Sequence, residues 1–506
     1  MNAASANSVP EALEASFSTP ELRERTALVH GGQVLKFSVL QDWIGAASSY
    51  LRSAGIRRGD VVALLSDRSA HQIAAILGVL SSAAVYCAVN PQLSKRKQLE
   101  QLRIAKVRTL IASGEYLEDA RWFREQLKGE MDVLLLPELF ERPARPVPVS
   151  MRKSDPALIL FTSGTTGVSK GIVLSHGNLV HNALTVAART NLHADDLLLH
   201  VMPLYHTNGL NNQVFAPLIA GAGVHLAPRF SAEHFFSWAA DCKPTIVTGV
   251  PTIYHRLLKR QVPGAALERL RMLRCGSAPL SRSLHESIED QFGVPVVVSY
   301  GLSEGTSTST MNPPSARKLG TVGTALAGQE VAILSPGSDR ALPTGSIGEV
   351  CIRGPNLMLG YLGESAPPVR DGWLRSGDLG RMDEEGYLTL TGRTNELIIR
   401  GGVNLSPREI EEAILLVSAV SQCCVVGVPD EEYGETPQAF IVLKQGEQVS
   451  SDMLREHVRD HLSPVHVPHG FFFVGELPEN SVGKVDRVVL ADWARSMTTN
   501  VSVPGR

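Results

Sequence analysis

Residues 162–171 read Thr162-Ser163-Gly164-Thr165-Thr166-Gly167-Val168-Ser169-Lys170-Gly171 and directly follow the apolar run Leu158-Ile159-Leu160-Phe161. Glycines let backbone N–H groups approach an anion, the hydroxyls add donors, and Lys170 adds positive charge, a set suited to a polyphosphate. The Walker A pattern requires glycine before the lysine and Ser or Thr after it. Those places hold Ser169 and Gly171, so this loop is a different one. A second chemistry is suggested by Gly301-Leu302-Ser303-Glu304-Gly305, which satisfies the G-x-S-x-G pattern of a serine nucleophile. That elbow needs a strand, a sharp turn and then a helix. Here Thr306-Ser307-Thr308-Ser309-Thr310 and Pro313-Pro314 follow, a poor helix start. A serine hydrolase using Ser303 is the distant alternative.

Other segments carry further chemical groups. Met202-Pro203-Leu204-Tyr205-His206-Thr207-Asn208-Gly209 supplies a histidine, and Gly276-Ser277-Ala278-Pro279-Leu280 is a Gly/Pro loop. In Ser299-Tyr300-Gly301-Leu302-Ser303-Glu304, Tyr300 offers a stacking face and Glu304 a hard oxygen ligand suited to Mg²⁺. Gly372-Trp373-Leu374-Arg375-Ser376-Gly377-Asp378 ends in a carboxylate able to accept two hydrogen bonds from a diol. Gly392-Arg393-Thr394-Asn395-Glu396, the pair Gly401-Gly402, and Leu477-Pro478-Glu479-Asn480-Ser481-Val482-Gly483-Lys484 follow in that order. A lysine such as Lys484, on a loop of a small mobile domain, can stabilise charge building between a carboxylate and a phosphate. From about Leu35 to Trp493 the series resembles the adenylate-forming (AMP-binding) superfamily, of the acyl-CoA synthetase or fatty- or aryl-acid CoA ligase type.

The resemblance implies that ATP is bound by Thr162, Ser163, Gly164, Thr165, Thr166, Gly167 and Lys170 at the phosphates. Gly276, Ser277, Ala278, Pro279 and Tyr300 would contact adenine, Gly301 and Ser303 would also bind ATP, and Asp378 with Arg393 would hold the ribose. It places Mg²⁺ on Glu304 with Thr162, the acyl pocket at His206, Asn208, Asn212 and Gly301, and the CoA arm past Gly401 and Gly402. Lys484 and His206 are the expected catalytic residues. Three positions depart from the family pattern: Ser169 replaces proline, Ser303 replaces threonine, and Asn395 stands at the hinge where Asp or Lys is usual. The implied reaction makes acyl-AMP from ATP and a carboxylic acid, then passes the acyl group to CoA. The alternative is an enzyme that stops at acyl-AMP and hands it to a carrier protein or a separate ligase. No aspartate stands near His206 to meet a substrate ammonium, which favours a non-amino acid. Asn208, Asn211 and Asn212 hint at an oxygenated, aromatic or polycyclic one.

These groups must be held by a large framework. The chain has 506 residues, 43% of them hydrophobic, and a net charge of −3. Near-neutral charge argues against a nucleic-acid partner. The six cysteines form no C-x-x-C pair, so neither zinc nor a disulfide scaffold is expected. The N-terminus lacks a signal-peptide core, and the apolar stretch Ile73 to Val89 is broken by Ser81 and Ser82, so no membrane span and a cytoplasmic location are expected. Strand-like runs at 61–65, 158–161, 245–248 and 294–298 alternate with helical patterns such as 71–80, which predicts α/β layers with mostly parallel sheets. In such folds ligands sit beyond the carboxyl ends of strands. A strand-like alternation at 386–391 and a helix opening at Ser406-Pro407 mark a change of texture. The expected division is a large multi-layer domain, 1–394, and a small mobile α+β domain, 395–506.

Overall fold

The computed structural model describes residues 5–142, 144–145, 147–163, 169–335, 337–364, 369–480 and 484–499. Gly164, Thr165, Thr166 and Gly167, expected at the phosphates, lie outside the described residues.

Two parallel sheets carry the larger part. In the first, Pro156–Ser163, Val85–Ala88, Val61–Leu65, Thr109–Ala112 and Asp132–Leu135 run parallel, and antiparallel Ser169–Ser175 and Gly360–Tyr361 extend one edge. In the second, Val296–Tyr300, Met272–Cys275, Ile246–Gly249, Leu197–His200, Gly223–Leu226 and Thr26–His30 run parallel between antiparallel edge strands. Successive strand residues face opposite ways. Val62 and Leu64 accordingly enter the core shared by both sheets, while Ala63 and Leu65 face the helices outside. Between the sheets lie Phe37–Ser53, Ala70–Ser81 and His176–Arg189. The first two touch closely at Gly78, where an added Cβ would sit 2.5 Å from the Ala47 Cβ. Lys95–Ile104 and Leu117–Gln126 cover one outer face, and Phe235–Cys242, Pro251–Leu257 and Arg282–Phe292 the other. The result is five layers, α/β/α/β/α, as the alternation of the sequence predicts.

An antiparallel sheet, containing Glu330–Leu334, Gly348–Arg353, Trp373–Met382 and Leu388–Arg393, follows and shares the core of the second parallel sheet through Val350, Ile352 and Leu388. The strand expected at 386–391 starts at Leu388, because Gly386 (φ +82°) closes a turn onto Asp383. After Ile398 a last sheet is built from Ile398–Arg400, Val403–Leu405, Val420–Asp430, Gly434–Leu443 and Gly470–Phe473. Pro407–Leu415 and Ser451–His461 pack on one face of it and Arg487–Thr499 on the other. Ser406 stands at the N-cap position of Pro407–Leu415, but its hydroxyl donates to the Thr391 carbonyl instead of capping. The apolar stretch at 73–89 is the rest of a buried helix leading into Val85–Ala88. Among the described residues no helix is long and apolar enough to cross a membrane.

Candidate active site

The hydroxyl-rich loop joins two antiparallel strands. Thr162 pairs with Lys170 and Ser163 with Ser169 across the hairpin Pro156–Ser163/Ser169–Ser175. A Walker A loop would instead open a helix. The Lys170 ammonium sits 4.8 Å from the centroid of the Tyr361 ring and 3.4 Å from Glu364. The Tyr361 hydroxyl donates to Glu304 at 2.9 Å. Glu304, Tyr361 and Lys170 thus form one cluster, although no spacing in the sequence pointed to Tyr361.

Ser303–Gly305 is a single 3₁₀ turn after the strand Val296–Tyr300, and the next element is the short strand Thr310–Met311. No helix follows Ser303, and among the described residues no imidazole is hydrogen-bonded to it. The hydrolase elbow is absent there. Gly301 is needed for a different reason: an added Cβ would lie 1.9 Å from the Ser307 carbonyl. Gly276 allows a similar approach, with the Ser299 hydroxyl 2.8 Å from where its Cβ would be. Next to it, Ser277 is held at φ +66°. Backbone strain of this kind needs surroundings that over-determine it. The Ser277 hydroxyl accepts from the Asn208 amide at 3.2 Å, which ties this loop to the 202–209 segment.

That segment is fixed from below. The Arg68 guanidinium donates to the carbonyls of His200 and Met202, and His200 Nε2 bonds the Gly209 carbonyl at 2.7 Å. A Cβ on Gly209 would meet the Pro203 carbonyl at 1.9 Å, so only glycine closes this loop. His206 ends with a buried Nε2 that has no partner. Asn211 and Asn212 follow in a π-helical turn, Asn211–Phe215, a distortion common at functional sites.

Asp378 and Arg393 pair across neighbouring strands, Arg393 Nε donating to Asp378 at 2.7 Å. The Tyr300 hydroxyl donates to the other carboxylate oxygen at 2.6 Å. Burial and the neighbouring carboxylate raise the Tyr300 phenol, which stays protonated. Lys484 reaches this same group. Burial and then Arg393 lower its ammonium, Asp378 partly restores it, and the Lys484 charge in turn acts on His206. The lysine loop is closed by Asn480, whose side chain accepts from the Lys484 N–H at 3.1 Å and whose N–H donates to the Lys484 carbonyl at 2.8 Å. At the base of this loop Arg487 donates to Val425 and Glu411 and lies 3.5 Å from Glu396. Glu479 also makes an ion pair with Arg256 of the large domain at 2.8 Å, a contact with no sequence signal.

Lys484, Asp378, Arg393, Tyr300 and His206, scattered over almost 280 residues, are therefore brought together. Gly401 and Gly402 are not among them. They form the exposed tip of the hairpin Ile398–Arg400/Val403–Leu405, at φ +55° and +82°, a turn that glycine suits. Asn395 lies in an exposed turn outside the left-handed region, so its conformation here makes no special demand on the residue.

The sequence model of the AMP-binding enzyme matches residues 18–362, and that of the AMP-binding enzyme C-terminal domain matches 409–484. The chain belongs to the AMP-binding enzyme family. Similarity extends over nearly the whole chain. The sulfoacetate–CoA ligase of Cupriavidus necator is 34% identical, covering 92% of this chain and 93% of its own. A probable CoA ligase of Humulus lupulus, CCL9, is 32% identical over 96% of both. ATP-bound MatB from Rhodopseudomonas palustris superposes with a TM-score of 0.90 at 28% identity, covering 97% of this chain and 100% of that one. The apo form of that protein superposes with a TM-score of 0.82. This AMP-binding enzyme is an acid–thiol ligase: it activates a carboxylic acid as acyl-AMP and transfers the acyl group to CoA.

Two expectations follow from the geometry of this AMP-binding enzyme. Burial, aided by Lys484, pushes His206 down to about 4. The imidazole is therefore neutral above about pH 5, and an acid limb of kcat/KM above that pH arises elsewhere. That limb stays in place in His206→Asn; a shift of about one pH unit in the variant would overturn the assignment. The Arg256–Glu479 pair is half exposed, so it is worth at most about 1 kcal/mol. Arg256→Ala should slow acyl-AMP formation by up to about fivefold and leave transfer to CoA unslowed. Equal slowing of the two half-reactions, measured separately, would show that the pair does not favour this domain arrangement.

Proposed function

We propose that the carboxylic acid and the α-phosphate of ATP meet at Lys484, between the Asp378–Arg393–Tyr300 group and His206. The observation that carries this reading is the convergence of Lys484 with that group. Asp378 accepts from the ribose hydroxyls, and Lys484 neutralises charge as a carboxylate oxygen attacks phosphorus and pyrophosphate leaves. Lys170, held over Tyr361, takes up charge on the leaving phosphates. His206 keeps the acyl entrance lined with a neutral polar ring. The domain then turns about Asn395, withdrawing Lys484 and bringing Gly401 and Gly402 to the thiol of CoA.

Glu304 has one oxygen engaged by Tyr361, and among the described residues the other carries no hydrogen bond and can face a cation. One carboxylate together with phosphate oxygens and water is a usual Mg²⁺ environment. With Thr162, Glu304 would hold Mg²⁺, which supplies charge neutralisation at the phosphates when bound.

The substrate is a non-amino, oxygen-rich acid. Support comes from the polar acyl wall: Asn212 donates to the hydroxyls of Ser307 and Thr308, both at 2.9 Å, and among the described residues no carboxylate acts on His206 to meet an ammonium. The Cupriavidus relative is named for sulfoacetate, an acid of that kind. Pyrophosphate release from Mg·ATP, measured across a panel of acids with and without CoA and with products weighed by mass, tests the reading. Acyl-CoA from oxygen-rich acids supports it. Release that stops at acyl-AMP despite CoA would transfer the second step to another acceptor, and preference for amino acids would overturn the substrate class.

A further inference from the structure

Among the described residues Arg274 is the largest side chain sealed inside the protein, at 2% exposure. It lies on the strand Met272–Cys275, whose Leu273 and Cys275 face the outer core. Alternation turns Arg274 to the opposite face, beside Thr248 and Val297 of the neighbouring strands. There its Nη1 donates to the Asn212 carbonyl over a long 3.5 Å, and its Nε has no partner. No carboxylate acts on it among the described residues; its electrostatic neighbours are Tyr254 and Arg271. Burial, partly offset by Tyr254 and added to by Arg271, brings it down to about 10, so it stays charged at neutral pH. Thr248 Oγ1 on the neighbouring strand and Asn212 Oδ1 are also buried without partners among the described residues.

A buried guanidinium without a counter-charge is costly, and proteins retain one where a partner completes it. Arg274 is joined to the nucleotide loop by a short relay. Its contact Asn212 bonds Asn208 at 3.4 Å, and Asn208 bonds Ser277 at 3.2 Å. Asn208 and Asn212 are four residues apart, about one helical turn along this relay. We infer that Arg274 is a specificity residue of the acyl pocket, and that the activated acid carries a second anionic group about one helical turn, ~5 Å, from the reacting carboxylate. Guanidinium recognises planar carboxylate through paired hydrogen bonds and also accepts sulfonate. The inference rests on the placement of the acyl pocket proposed above.

The test is kcat/KM for pyrophosphate release with a length series of α,ω-dicarboxylates, the matching ω-sulfonates, and methyl-terminated monoacids of the same lengths. Wild type should prefer an anionic-tailed acid over its methyl-terminated counterpart by about 100-fold or more, the carboxylate and sulfonate series telling which anion fits better. Arg274→Met should lose that preference by raising KM for the anionic acids while turnover of the methyl-terminated ones is kept or improved. Equal loss for every acid in Arg274→Met, or parity between the series in wild type, overturns the inference. The wild-type comparison needs no variant and decides even if Arg274→Met fails to fold. Release confined to monoacids overturns the inference and leaves the ligase intact. No acid-dependent release from any acid, in protein that binds ATP, counts against both.

Discussion

Lys484→Ala forms acyl-AMP slower by about 10³-fold or more, yet transfers the acyl group of supplied acyl-AMP to CoA within a few-fold of wild type. Burial and Arg393 lower the Lys484 ammonium, Asp378 raises it, and its charge acts on His206, so it stands where these groups converge. Charge that develops between the carboxylate and the α-phosphate then meets only Arg393, which is already committed to Asp378 at 2.7 Å. In the second half-reaction the phosphate is a leaving group that departs as AMP, and in the proposed cycle Lys484 has moved away. Single-turnover assays of the two half-reactions, each started from its own substrates, separate the effects. Equal loss in both would mean that the variant damages the fold or that Lys484 serves both steps.

Asp378→Ala raises the KM for ATP by about 100-fold, the expected cost of about 2–3 kcal/mol for removing one partner of a hydrogen-bonded charge pair. Two hydrogen bonds are lost, from Tyr300 at 2.6 Å and from Arg393 at 2.7 Å, and with them the acceptor proposed for the ribose. A second effect separates this variant from a simple loss of binding. Asp378 is the group that holds the Lys484 pKa up against burial and Arg393. Without it the ammonium loses its proton at lower pH, so adenylation falls off as pH rises through a value lower than in wild type. A titration of kcat at saturating ATP should show this basic limb moved toward neutrality. An unchanged KM for ATP, or a basic limb that does not move, would remove Asp378 from the site.

Local patterns in the sequence carried much of this structure. Short apolar runs separated by helical spacing gave five layers because a parallel strand is buried on both faces, and alternation along 61–65 divides its residues between two cores. Strand ends were less legible. Leu388 rather than Gly386 begins its strand because a left-handed turn there depends on a contact with Asp383. In the site, Asp378, Arg393, Tyr300, His206 and Lys484 were named from the motifs around them, and the structure brings these five together. Those that act through tertiary partners were not. Tyr361 joins Glu304 to Lys170 by a sheet edge that pairs residues 360–361 with 172–173. Arg256 and Glu479 are separated by 223 positions, and Arg274 reads as an ordinary charged residue until its strand is seen to bury it. The G-x-S-x-G match shows the converse: five correct residues with no helix behind them make no nucleophile.

Arg487 gives the cycle its kinetic form. One guanidinium holds Val425 and Glu411 in the small domain's interior, stands 3.5 Å from Glu396 beside the hinge, and begins the helix that follows the lysine loop. In the proposed cycle these contacts couple Lys484 to the rest of the small domain. Its withdrawal and the presentation of the glycine hairpin should then be one displacement, and a transient followed from either end should show one relaxation with one rate constant. On that reading the adenylate would not face an open site with the lysine gone and the thiol channel still unmade, which would limit its loss to water between the two steps.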